Sequence, residues 1–208
     1  MTTHAGPPSA VPAELGQPQL DALDALAELA AAAVVAEVTG ECWTPPAPLD
    51  PALGEPRAAF VTLRVEGRLR GCVGGLSASR ALADEVVERA GAAASRDPRF
   101  APVRAAELDE LEVEVTVIGE QRTLAVGGHA ELLAVLEPGV HGVIVEAPGR
   151  RATLLPSVWE QLPDPVEFCA VLWEKAGLRS GAWPPGIEVR VYTATSSERR
   201  GVLSPRSG

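Results

Sequence analysis

Cysteine is scarce in this chain, and what there is cannot pair by pattern. Cys42, Cys72 and Cys169 are odd in number, widely spaced and free of any CxxC pair. That excludes a disulfide framework, argues against a structural zinc site and makes a reducing cytoplasm the expected compartment. Basic charge is also short: 18 Lys and Arg stand against 28 Asp and Glu, a formal net charge of −10. Non-specific binding to nucleic acid or an anionic membrane needs basic patches, so neither is expected. A local basic pocket for an anionic small molecule remains compatible with this balance. No long apolar run escapes charge either. The Ala-rich stretch around residues 25–38 carries Asp24, Glu28 and Glu37 and makes a poor membrane span. Residues 1–18 lack the basic start and apolar run of a signal peptide. No internal repeat is present.

What remains is the composition of a globular protein, 46% hydrophobic and 22% charged over 208 residues. That is enough for one compact domain, or one domain with a small lobe. The spacing predicts a flexible leader over residues 1–18, a domain over 19–198 and a flexible tail over 199–208. Leu20, Leu23, Leu26, Leu29, Val34 and Val38 form a helical stripe from Gln19 to Val38, with Gly40 as its stop. Five prolines make residues 44–56 an irregular connection. Ala58 to Val65 and Leu69 to Val73 read as strands joined by a turn at Glu66-Gly67. Ser77 or Ser79 is expected to cap a helix reaching Ser95. Leu108 or Leu111 opens a strand that reaches Ile118, alternating from Leu111 onward, and a short helix falls within Val126 to Leu136. A second hairpin turns at Pro148-Gly149, between Val143–Ala147 and Ala152–Leu155. Asp164 and Pro165 suit the start of a helix within Pro163 to Leu178. Glu188 to Thr193 supplies a last strand. Hairpins with interspersed helices predict an α+β fold with a mostly antiparallel sheet flanked by helices.

The chemistry concentrates in Leu69-Arg70-Gly71-Cys72-Val73-Gly74-Gly75. A thiol beside a guanidinium suits a nucleophile, because a nearby cation lowers a thiol's pKa. Cys72 reads as a nucleophile, a metal ligand or a redox-sensitive thiol; a small buried hydrophobe is the plain alternative. Arg70 suits bidentate binding of a carboxylate or phosphate, or else an ion pair with a strand carboxylate such as Glu114. Gly71, Gly74 and Gly75 suit an anion-holding backbone nest or a tight hairpin exit. His141 follows Pro138-Gly139 and is the best general base or ligand in the core, against a structural hydrogen-bonder. His4 lies in the leader and His129 in a Gly-rich loop. Glu112 and Glu114 share one face of a strand, either for acid/base work or as a solvated face. Asp97 and Arg99 are expected to fix a turn through local hydrogen bonds. Trp159, Trp173 and Trp183 are expected to pack rather than bind.

Several separated stretches together resemble one family. They are Leu69 to Gly74, Asp97-Pro98-Arg99-Phe100 with Pro102-Val103, Leu111 to Ile118 and Pro138 to Val143. Leu154-Leu155-Pro156, Glu167-Phe168 and Lys175-Ala176-Gly177-Leu178 complete the pattern. The chain resembles the AMMECR-type domain, called protein A of the AmmeMemoRadiSam system in prokaryotes, over roughly residues 20–198. Val73 stands where Ile is commoner, and Ser157-Val158-Trp159 departs from a usually polar stretch. The resemblance implies an α+β fold with a larger and a smaller lobe. It also implies a shared pathway with a Memo-like protein and a radical S-adenosylmethionine protein. This chain has no three-cysteine iron–sulfur motif of its own.

Two readings follow, with a third behind them. In one, Cys72 and His141 serve a catalytic or binding cleft in which Arg70, Gly71, Gly74, Gly75 and Glu114 hold an anionic substrate. In the other, the chain is a non-catalytic adaptor for the Memo-like or radical partner. The third reading is metal delivery through Cys72 and His141.

Overall fold

The computed structural model describes residues 17–46 and 50–199. Most of the expected leader and all but the first residue of the expected tail lie outside the described residues. A long helix opens the fold, α1 (Gln17–Thr39), and ends at Gly40 with φ +72°. That left-handed geometry is what a glycine past a helix end permits. The hairpin β1 (Ala59–Val65) and β2 (Arg68–Gly74) follows, turning at Glu66 and Gly67 with φ +51° and +73°. Two consecutive positive φ angles match the right-handed twist of the strands they join.

Helix α2 (Leu82–Ser95) starts later than Ser77 or Ser79 would place it, with Ala81 at its N-cap. An isolated bridge between Pro56 and Ala81 keeps the preceding segment extended, so tertiary pairing overrides the local capping preference. Strand β3 (Leu111–Ile118) takes the later of its two expected starts, since Leu108 lies in a 3₁₀ turn over Ala105–Glu110, and a two-residue strand β4 (Arg122–Thr123) follows. Helix α3 (His129–Val135) begins at His129, which therefore sits on a helix and not in a Gly-rich loop. Strands β5 (Gly142–Ala147) and β6 (Arg150–Leu154) form the second hairpin. Asp164 caps α4 (Pro165–Lys175) by accepting the Val166 amide at 2.9 Å. The chain then forms β7 (Glu188–Tyr192) and β8 (Ala194–Arg199).

The fold is α+β, and the strands divide between two antiparallel sheets. Their orders are β2-β1-β3-β8 and β4-β7-β5-β6. The last strand, β8, lies beyond the last expected strand, takes in Arg199 of the expected tail and makes the far edge of the first sheet.

Period two decides which face of that sheet is covered. Val61, Leu63, Val113 and Val115 are buried in one core cluster with Leu26, Ala30 and Val34 of α1 and Val86 and Ala90 of α2. The opposite face carries Cys72, Thr62, Glu114 and Glu198 in one register row. In the second sheet, Val143, Val145, Val189 and Val191 pack with Phe168, Leu172 and Trp173 of α4. Ala58, Ile118, Ile144 and Tyr192 form a smaller cluster that joins the sheets. Trp159 stacks on Phe168 and Trp173 on Trp183, so the tryptophans pack as expected.

Candidate functional site

Cys72 lies on β2, an edge strand, directly opposite Thr62 of β1. Its main-chain groups turn away from β1 and find side chains instead. The Cys72 amide donates to Asp97 Oδ2 at 2.8 Å, and Arg99 Nη2 donates to the Cys72 carbonyl at 3.1 Å. Asp97 and Arg99 thus act as a surrogate strand partner for one residue of an exposed edge. Because Cys72 spends its backbone outward, Cys72 and Thr62 form the closer, non-hydrogen-bonded type of antiparallel pair. Thr62 Oγ1 accordingly donates to Cys72 Sγ at 3.3 Å. The thiol is half-buried, on the sheet face opposite α1 and α2.

Asp97 and Arg99 are bound to each other as well. Arg99 Nε reaches Asp97 Oδ1 at 3.0 Å, Nη2 reaches Oδ2 at 2.7 Å, and the Arg99 amide donates to Oδ1 at 3.1 Å. The expected turn therefore exists, and it also grips the thiol-bearing strand. The Arg99 guanidinium holds the buried Asp97 carboxyl well below the usual carboxylate range, aided by the Cys72 and Arg99 amides. Arg99's own pKa is raised by Asp97 first and by the Cys72 side chain after it. Its side chain remains 54% exposed. Nε and Nη2 are the nitrogens committed to Asp97 and Cys72.

Arg70 is spent otherwise. It pairs bidentately with Glu107, Nε to Oε1 at 2.7 Å and Nη2 to Oε2 at 3.1 Å. It also donates to the Ala101 and Pro102 carbonyls at 2.8 and 3.1 Å. The expected Arg70–Glu114 alternative is thus replaced: the carboxylate is Glu107, in a 3₁₀ turn over Ala105–Glu110. Glu114 faces Arg64 at 3.4 Å instead. The two clamps, at Cys72 and at Arg70, lay residues 97–107 along the outer edge of β2.

None of Gly71, Gly74 and Gly75 has a positive φ, so the alternating backbone of an anion nest is not formed. Gly71 lets β2 approach the Ala93 carbonyl of α2, where a Cβ would collide. Gly74 makes room for the Phe60 ring and lies against the Ala59 carbonyl, 2.6 Å from where a Cβ would sit. A Cβ on Gly75 would make only ordinary contacts, with the Arg89 guanidinium at 3.4 Å and Glu85 Oε1 at 4.0 Å.

His141 belongs to the other sheet, just before β5. Its Nδ1 accepts the Glu137 amide at 3.1 Å and its carbonyl accepts Trp159 Nε1 at 2.7 Å. Burial holds its pKa down, which favours the neutral imidazole. His141 and Cys72 share no partner, and the structure gives His141 the part of a structural hydrogen-bonder. Among the described residues no group of three or more His, Cys, Asp or Glu is arranged to hold a metal ion. No helix among them is long and apolar enough to cross a membrane.

Sequence reasoning named Cys72 and its neighbourhood but missed Thr62, Glu107 and the grip of Asp97 and Arg99 on the strand. Period two in β1 and β2 could have pointed to Thr62. Asp97 and Arg99 reach Cys72 across more than 20 residues of chain, where no periodicity reports a contact.

The AMMECR1 family model matches residues 27–197. A Methanosarcina barkeri protein, Mbar_A1807, is 41% identical over 145 residues, covering 69% of this chain and 71% of its own. An Aeropyrum pernix protein is 44% identical over 136 residues, 63% of this chain and 58% of its own. The crystal structure of the uncharacterised protein PH0010 from Pyrococcus horikoshii superposes with a TM-score of 0.80 at 32% identity. That likeness spans 89% of this chain and 95% of the other. With the family model, these relatives and this α+β architecture in agreement, the chain belongs to the AMMECR1 family.

Proposed function

We propose that the chain is an enzyme or enzyme subunit that uses the Cys72 thiol on a small anionic substrate, with Arg99 as the cationic contact. The observation that carries this reading is the placement of an exposed guanidinium on the main-chain carbonyl of the thiol-bearing residue by a buried carboxylate. Arg99 is held by Asp97 and donates to the Cys72 carbonyl, and its side chain is 54% exposed. Arg70, with Nε, Nη1 and Nη2 all bound, serves as scaffold. Thr62 supplies a hydroxyl to the sulfur. A thiol placed beside a fixed cation on an accessible sheet face is suited to attack an electrophile that carries a carboxylate or phosphate. His141 has no part in this site.

The test is alkylation of folded protein with iodoacetate and with neutral iodoacetamide, in a Cys42→Ser background because Cys42 is exposed. Cys72 should react in the folded state, and iodoacetate should gain over iodoacetamide through Arg99. Arg99→Gln should abolish that gain. A thiol inert until unfolding, or an unchanged preference in Arg99→Gln, would falsify the reading.

A second reading keeps the adaptor role toward the Memo-like and radical S-adenosylmethionine proteins. What favours it is the same commitment of Arg70 to scaffold, together with the 40% exposure of Leu69 beside it on an edge strand. Pull-down with Leu69→Glu and Cys72→Ser separates the two: an adaptor loses its partner with the first and keeps it with the second.

A further inference from the structure

Where the first sheet ends and the chain crosses to the second, there is a cavity of about 340 Å³. Small-molecule sites range upward from roughly this size and favour the seams between packed units. The cavity begins where the thiol-bearing segment ends, since Leu76 lies two residues beyond Gly74. Its walls are tied together without a ligand. The Ile118 amide donates to the Ala58 carbonyl at 2.9 Å, and Gln121 Nε2 donates to the Leu76 carbonyl at 2.5 Å.

The lining has a distinct chemistry. Leu76 and Ile118 contribute an apolar wall, and charges of both signs stand around it: Arg57, Glu55 and Glu120. These three residues are exposed at the mouth of the cavity, and among the described residues their side chains make no hydrogen bond or ion pair. A guanidinium presents paired donors to a carboxylate. Two carboxylates favour an ammonium and repel a second negative charge on the ligand. A short aliphatic group would cover the apolar wall.

We propose that this cavity binds a free α-amino acid with an aliphatic side chain. Its carboxylate lies on Arg57, its ammonium between Glu55 and Glu120, and its side chain on Leu76 and Ile118. This goes beyond the thiol site and does not depend on it.

Methyl NMR tests the proposal directly, because Ile118, Ile144 and Ile187 are the three isoleucines of the chain. L-leucine, isocaproate (no ammonium) and isoamylamine (no carboxylate) are titrated in turn. Leucine should shift the Ile118 methyl saturably and leave Ile187 still, and each analogue should bind at least about tenfold more weakly. Arg57→Gln should weaken leucine binding by a similar factor, with the Ile187 signal confirming an intact fold. The proposal is overturned by the absence of a saturable Ile118 shift, by equal binding of either analogue, or by an unchanged affinity in Arg57→Gln.

Discussion

Arg70 and Glu107 meet in a two-pronged ion pair, Nε to Oε1 at 2.7 Å and Nη2 to Oε2 at 3.1 Å, with both side chains less than one-fifth exposed. Bidentate geometry and partial burial distinguish it from surface pairs, which contribute little. Arg70→Ala leaves Glu107 and two main-chain carbonyls short of a donor and should destabilise by about 2–4 kcal/mol in urea titration. Glu114→Gln, which removes only a 3.4 Å contact to a 40% exposed Arg64, should cost under about 1 kcal/mol. A larger effect at Glu114 than at Arg70 would reverse this assignment.

Acid stability should depend on the two clamp carboxylates. Arg70 lowers the Glu107 pKa from 4.5 to about 2, and Arg99 lowers Asp97 further. A carboxylate with a depressed folded pKa adds stability that is fully present above its unfolded pKa and fades as pH falls toward the folded value. Stability should therefore decline from about pH 4.5 to pH 2. Glu107→Gln and Asp97→Asn should each be less stable at neutral pH and show a flatter loss across that window. Urea midpoints at a series of pH values provide the measurement.

The three glycines of the thiol-bearing segment should respond unequally to alanine. Gly71→Ala drives a methyl into the Ala93 carbonyl, and Gly74→Ala into the Phe60 ring and the Ala59 carbonyl. Each should lose on the order of 1–3 kcal/mol, the usual cost of overpacking. Gly75→Ala meets the ends of Arg89 and Glu85 at ordinary contact distance and should be near neutral. Thermal melts of the three variants provide the comparison; equal losses would contradict the packing described.

Tyr192 is the sole tyrosine, so its ionisation can be read alone. Burial pushes its pKa up to about 12, against a hydrogen bond with Thr153 that lowers it. Tyrosinate absorbance should stay absent through pH 10 to 11 and appear only near pH 12 or with unfolding. The same argument holds Cys169, pushed up to about 12 by burial, unreactive toward alkylation in the folded state.

Much of the framework was legible because it is local. Glu66-Gly67 announces its hairpin, Leu111 to Ile118 alternates along its whole length, and Asp164 with Pro165 marks the start of α4. The location of the thiol was legible as well, through the crowding of Arg70, Cys72 and glycines. What escaped was set by contacts far apart in sequence. Asp97 and Glu107 are both acids in polar stretches, and only the fold decides that one receives a strand amide and the other Arg70. Glu114 looked equally available by spacing and was taken by Arg64. The start of α2 was misplaced for the same reason, since the bridge from Pro56 to Ala81 has no local signal. Thr195 and Ser196 carry no apolar alternation, and only their pairing with β3 makes them a strand.

The pairing of β8 with β3 bears on how the chain is made. Ser197 Oγ donates to Asp24 Oδ1 of α1 at 3.0 Å, closing a loop of 173 residues, and β8 completes a sheet whose other strands precede Gly119. During synthesis the first sheet must wait, with one side of β3 unpaired, while the whole second sheet emerges. Such long-range closure slows folding and leaves an open strand exposed to mispairing. The hairpin of β1 and β2 needs no such delay, so the segment bearing Cys72 can be in place before the fold around it is finished.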